Sequence, residues 1–224
     1  MTMSHENKPK SLGQVAYERL HEAIETGQLQ PGDRISVNGL ADALKISRTP
    51  VREAISWLET DWLIIHEPYL GRVVAHLDLQ MINELYTIRQ VLEIAAAGMA
   101  ASNASNAEIA VLNEMVEFEA TLLDKPIERE RHNRRFHQAV HRSAHNRYLL
   151  RSLNALQTPM VLLGPATASD PARLQDAYQE HRELVACITR HDVQGAQEII
   201  TQHLARGQKA RISHMLSTQQ PKSR

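Results

Sequence analysis

A single cysteine, Cys187, in 224 residues excludes an internal disulfide and fits a reducing compartment. Aromatic residues are scarce as well, at 4%, while Leu, Ile and Ala recur at helical intervals. The nine glycines and nine prolines gather at the breaks between those intervals. A largely α-helical chain follows. No apolar run approaches the length that spans a bilayer, and the stretch from Met1 to Lys10 is polar, without a signal-like apolar segment. The chain is therefore expected in the cytoplasm, with no membrane partner. An excess of positive charge is also missing. The net charge is −1, and residues 1–75 hold eight Lys and Arg against ten Asp and Glu. If such a chain meets DNA, its fold must sort the cations onto one face, and its affinity for arbitrary DNA should be modest. Apolar residues, at 42%, suffice to bury an ordinary core in one large domain or two modest ones.

What is present divides near Leu77-Asp78. Residues 1–10 and 218–224 read as disordered tails. Residues 11–77 carry short elements: a helix from about Leu12 to Thr26 burying Ala16, Leu20 and Ile24, then a second capped by Ser36 and burying Leu40 and Leu44. A third is opened by Ser47 or Thr49, with Pro50 in its first turn and Val51, Ile55 and Leu58 facing inward. Leu63 to His66 and Arg72 to Ala75 read as two strands around Pro68-Tyr69-Leu70-Gly71. Three helices plus a two-stranded hairpin make a winged helix-turn-helix. From residue 78 to 217 the pattern is helix and short loop. Met81, Leu85, Leu92 and Met99 keep helical spacing, and Ser105-Asn106-Ala107-Glu108 forms a capping box for a helix carrying Ile109, Leu112, Val116 and Leu123. Further helices run roughly over 127–144, 147–163, 171–191 and 193–216, with caps from Asp170 and Asp192. Six helices of this length form an antiparallel bundle, whose interior is where ligand sites are usually built.

Two constellations carry chemistry. Arg48 and Arg52 lie one turn apart at the start of the third helix, where paired guanidinium forks can enter a major groove end-first. With Lys45 and Arg72 they are the candidates for a positive face, while Glu18, Glu22 and Glu25 sit on the first helix, away from it. Thr49 can donate to a phosphate, and the hairpin tip at Gly71-Arg72 is placed to approach a minor groove, although Gly71 also reads as a plain turn glycine. The bland alternative for the arginines is pairing with Glu53 or Glu59. In the second half, His137, His181 and His203 each fall on an apolar stripe of a different helix. One histidine on such a stripe is usually a hydrogen-bonded core residue. Three that converge are hard to satisfy without a metal. Asn133 precedes His137 by four residues, and His141 and His145 continue that face as surface or supporting groups. Arg89, on the apolar side of its helix, either pairs with Glu93 or meets a buried anion.

The string Ser47-Arg48-Thr49-Pro50-Val51-Arg52-Glu53-Ala54, followed by Leu58-Glu59 and the hairpin tipped by Gly71, resembles the winged helix of GntR-type bacterial transcription factors. Leu85-Tyr86-Thr87-Ile88-Arg89-Gln90-Val91-Leu92-Glu93, then Phe136-His137 and widely spaced histidines, resembles the FCD effector domain of the FadR subfamily. The resemblance, over roughly residues 11–216, implies a homodimeric and usually repressing regulator. It implies a palindromic operator in double-stranded DNA and release by a small metabolite, often a carboxylic acid. It also implies a divalent ion held by an aspartate and three histidines, which His137, His181 and His203 match. Asn133 stands where the aspartate is usual. Its oxygen can still ligate but brings no charge, which disfavours Mg²⁺ and leaves Zn²⁺ or Ni²⁺. Arg89 then corresponds to a clamp for an effector carboxylate. Two departures stand out. An arginine contact to DNA known in a relative at the start of the second helix is lost here or replaced by Asn38, and Trp62 replaces a glycine after the recognition helix, which would strain a left-handed backbone. The rival readings are a metal-dependent hydrolase built on the three histidines, and a DNA-binding dimer whose helical half only dimerises.

Overall fold

The computed structural model describes residues 10–122, 124–163 and 171–219. The tail residues 1–9 and 220–224, Leu123 and the expected Asp170 cap lie outside them. Two compact units divide between His76 and Leu77.

In the first unit, α1 (Leu12–Glu25) starts at Ser11, whose hydroxyl accepts from the Gln14 N–H, and buries Ala16, Leu20 and Ile24 along one face. Lys10, placed in a tail by sequence, pairs instead with Glu18 at 2.7 Å. Ser36 caps α2 (Val37–Leu44) through the Gly39 N–H. The buried residue of α2 is Ala41, whereas Leu40 and Leu44, expected inside, are only half-buried because this two-turn helix lies at the edge of a small core. The third helix, α3 (Arg48–Thr60), packs on α1 through Val51, Ala54, Ile55 and Leu58. It ends with Leu63 N–H bonded to Leu58 C=O and Trp62 N–H to Glu59 C=O, a Schellman closure with two buried leucines in contact range of its ends. Such a closure needs a left-handed residue, and Trp62 supplies it at φ 61°. The strands β1 (Ile64–Glu67) and β2 (Gly71–Val74) pair antiparallel, Glu67 opposite Gly71, each one residue away from the span expected. Residues 32–35 run beside β2, with Ile35 N–H on Arg72 C=O and Val74 N–H on Asp33 C=O, both at 2.9 Å. The sequence pattern shows no strand there.

The second unit holds α4 (Leu79–Asn103), α5 (Asn106–Glu119), a 3₁₀ turn (Ala120–Leu122), α6 (Pro126–Ser143), α7 (Arg147–Val161), α8 (Pro171–Thr189) and α9 (Val193–Gln219). Helix α9 runs two residues into the segment 218–224 expected as a tail, because Gly207 is the last breaker before Pro221. Helix α4 is central, packed against α6, α7, α8 and α9. It does so through Ala96, Ala97, Ala100 and Ala101, whose small side chains let neighbouring helices approach closely. Met81, expected inside, is exposed, and Ile82 and Tyr86 take the buried positions. Ser105 and Glu108 form the reciprocal capping box at α5. Asp192 accepts from the Gly195 N–H at the start of α9. Phe136, Val140, Leu184, Ile188, Ile200 and Leu204 join Ala97, Ala100 and Ala101 in one core, while Ala96 packs with Ala144, Leu149 and Leu153.

Candidate functional site

Burial of Val51, Ala54, Ile55 and Leu58 on one side of α3 turns the other side outward. Arg48, Thr49 and Arg52 are exposed there, at the leading end of the helix, and so are Lys45 and Asn38 on the preceding turn and helix. Lys45 itself ends α2 in the left-handed region, at φ 55°. Neither Arg48 nor Arg52 has a carboxylate partner among the described residues, so the pairing with Glu53 or Glu59 is not formed. Glu59 takes Arg72 instead, at 2.7 Å. Gly71 closes the hairpin at φ 79°, a conformation that favours glycine, and Tyr69 at the tip is fully exposed.

In the helical unit, His137 of α6, His181 of α8 and His203 of α9 meet in the interior, all three buried. One ring nitrogen of each lies within 4.8 Å of the others. Each imidazole is backed by a glutamate. The Nδ1 atoms of His181 and His203 lie 2.7 Å from Glu119 and Glu180, and that of His137 lies 3.0 Å from Glu93. A carboxylate only accepts, so each Nδ1 donates, and in the neutral ring the Nε2 then keeps a bare lone pair. The Nε2 atoms of His137 and His203 then face each other at 3.2 Å, and that of His181 is buried with no hydrogen-bond partner among the described residues. Facing lone pairs repel. A cation shared by the three nitrogens removes the conflict, and oriented neutral imidazoles with carboxylates behind them are what a metal site requires. The residues fit a divalent ion.

The glutamates are held in turn by arginines. Arg89 bonds Glu93, Arg129 Nη2 lies 3.1 Å from Glu119, and Arg173 Nη2 lies 2.9 Å from Glu180, which also receives surface Arg206 at 2.7 Å. Three Arg–Glu–His chains therefore converge on one point. Burial holds His203 down to about 3, with His181 and His137 beside it acting in the same direction against Glu180. His137 is lowered too, again by burial first. Burial pushes Glu119 and Glu180 upward, but their imidazole and guanidinium partners outweigh it and bring both down to about 2. At neutral pH the glutamates are ionised, and His137 and His203 are neutral.

A cavity of about 60 Å³ adjoins the cluster. Asn133, Arg89 and His203 line it, with Arg129 and Arg173. Arg89 thus makes the Glu93 pair and also borders the cavity. His141 is buried, its Nε2 3.5 Å from Glu93, while His145 is exposed and meets Glu108 at 3.0 Å. Sequence spacing points to the histidines and Arg89 but not to Glu119, Glu180, Arg129 or Arg173. Their partners sit on other helices, and Glu180, next to His181 in sequence, holds His203 instead.

The family model for bacterial regulatory proteins of the gntR family matches residues 12–74, and that for the FCD domain matches residues 84–206. The chain belongs to the GntR family and carries an FCD domain. This GntR-type chain is 26% identical over 200 residues to the HTH-type regulator YdhC of Bacillus subtilis, covering 88% of this chain and 89% of that protein. It is 31% identical to the probable D-xylose utilization operon transcriptional repressor of Paenarthrobacter nicotinovorans, covering 81% of this chain and 80% of the relative. The fold matches that of Escherichia coli McbR/YncC with a TM-score of 0.78 at 24% identity, over 92% of this chain and 100% of the other. These relationships identify a transcription regulator rather than an enzyme, and the hydrolase reading falls. No helix among the described residues is long and apolar enough to cross a membrane.

Proposed function

We propose that this regulator represses transcription from a palindromic operator and releases it when a small organic acid enters the cavity beside a metal-holding histidine cluster. The observation that carries the reading is the convergence of three buried imidazoles, each oriented by a glutamate, beside a cavity walled by arginine. His137, His181 and His203 would hold the ion, with Asn133 as a neutral fourth donor, and nitrogen ligation favours Zn²⁺ or Ni²⁺. The bound ion would supply a fixed positive charge for an effector carboxylate, and Arg89 would orient that carboxylate. Arg48 and Arg52 would read bases, Thr49 and Lys45 would meet phosphates, and Asn38 would contact the duplex where it leaves the groove. The hairpin at Gly71 would approach the minor groove; Arg72, tied to Glu59, would steady it there. Similarity to the Paenarthrobacter relative, described as a probable operon repressor, supports repression.

Two copies are needed to read a palindrome. The exposed apolar side chains Leu79, Ile88 and Val91 along α4 support a homodimer formed by the helical unit. The proposed setting is the cytoplasm. An effector changes DNA binding only by its difference in affinity for the two dimer arrangements. Footprinting on the DNA upstream of the coding region, with and without short organic acids, tests the reading. A protected palindrome that one acid class releases is expected. Protection that no acid and no chelator alters would leave the helical unit as a dimerisation module alone.

A further inference from the structure

The cavity wall holds more cationic hydrogen-bonding capacity than one carboxylate can use. Arg129 and Arg173 are locked in place: Arg129 by Glu119 and the Leu174 carbonyl, Arg173 by Glu180 and the His203 carbonyl. Both are buried, and each keeps a donor without an acceptor among the described residues, Nε on Arg129 and Nη1 on Arg173. A buried N–H left so is unfavourable. Neither guanidinium can swing away without breaking its glutamate bond, and both line the cavity, so a ligand there meets fixed positive charge.

Charge counting points the same way. An imidazole that ligates through Nε2 while Nδ1 donates to a glutamate is neutral, so each Arg–Glu–His chain of the loaded site carries no net charge. The two other charged groups on the wall, Arg211 and Glu130, are of opposite sign and lie 3.4 Å apart. Asn133 adds nothing. A divalent ion on the three imidazoles therefore brings two positive charges that no side chain balances, and a buried uncompensated charge is strongly unfavourable. Arg206 lies at the surface, where solvent screens it.

We propose that the cavity selects a compact dianion, with one acidic group at the ion and Arg89 and the second on Arg129 and Arg173. Its chemistry is that of a short dicarboxylate or a phosphate. The proposal rests on the reading of this unit as effector-binding and names the charge of the effector.

Calorimetric titration of the full chain loaded with Zn²⁺ tests it, with malonate, succinate, inorganic phosphate, and succinamate as the singly charged match to succinate. A dicarboxylate or phosphate is expected to bind at least about tenfold more tightly than succinamate, and which of the two does so identifies the source. Asn133→Asp adds one negative charge to the wall with little change of shape, and should narrow that ratio. Equal affinity for succinate and succinamate, with phosphate no tighter, overturns the dianion but leaves an acid-sensing site. A ratio that Asn133→Asp widens overturns the charge argument. If none of the four binds, the dianion and the effector reading fall together.

Discussion

Single residues show where local rules are broken. Trp62 holds φ 61° while its indole is 73% exposed, so the backbone strain of a left-handed aromatic is offset by little packing. Trp62→Gly is expected to raise stability by roughly 0.5–1 kcal/mol, read from the urea midpoint. A loss instead would mean that the indole covers something in the folded chain. For Arg52, exposed and without a carboxylate partner among the described residues, replacement by alanine should cost about 1–3 kcal/mol of operator affinity and relax base preference at one position. A uniform loss over all sequences would assign it to phosphate. Glu119 supports His181 at 2.7 Å, so Glu119→Gln should weaken metal binding roughly 10–100-fold in competition with a chelating dye. Unchanged affinity would remove His181 from the ligand set. The histidines were legible in the sequence because each sits on an apolar stripe of its own helix, where an imidazole is out of place. Glu119 and Glu180 were not, since a glutamate among other polar residues carries no mark until packing brings another helix to it.

Among the elements, ends were easier to read than faces. Ser36, Ser105 and Asp192 announce helix starts because a short polar side chain is needed there to meet free N–H groups. The buried face of α4 was read less well. It is built of alanines, too small to stand out from a solvated face, so Met81 drew attention from its true neighbours. Residues 32–35 bear no mark in the sequence because a segment joined to β2 by backbone bonds alone leaves no side-chain period. The capping box at α5 carries a pH prediction. Bonds from Ser105, first its backbone N–H and then its hydroxyl, together with His145, bring Glu108 down to about 2. A lowered folded value means stabilisation that is full above the unfolded value, about 4.3, and is lost as pH falls from there toward 2. Glu108→Gln should therefore lower the thermal midpoint at neutral pH, and the gap to the parent chain should close across that window. A gap that stays constant with pH would show that the cap acts through shape alone.

At the level of the whole molecule, the division at His76 and Leu77 lets the effect of metal be localised. The chain has two tryptophans, Trp57 and Trp62, and both belong to the first unit, while most of the helix belongs to the second. Indole fluorescence and far-ultraviolet dichroism thus follow different units of one chain. An ion held by His137, His181 and His203 stabilises only the unit that contains them, by mass action. Without it, the His137 and His203 lone pairs face each other at 3.2 Å, and the second unit loses both the binding energy and the relief of that contact. Chelation should lower the dichroism midpoint by on the order of 5–10 °C for an ion present at a hundred times its dissociation constant. The fluorescence midpoint should stay in place. Equal shifts in both signals would mean that the units melt as one. A shift in neither would leave the facing lone pairs to be resolved by a proton, and the cluster would then be a packed core rather than a metal centre.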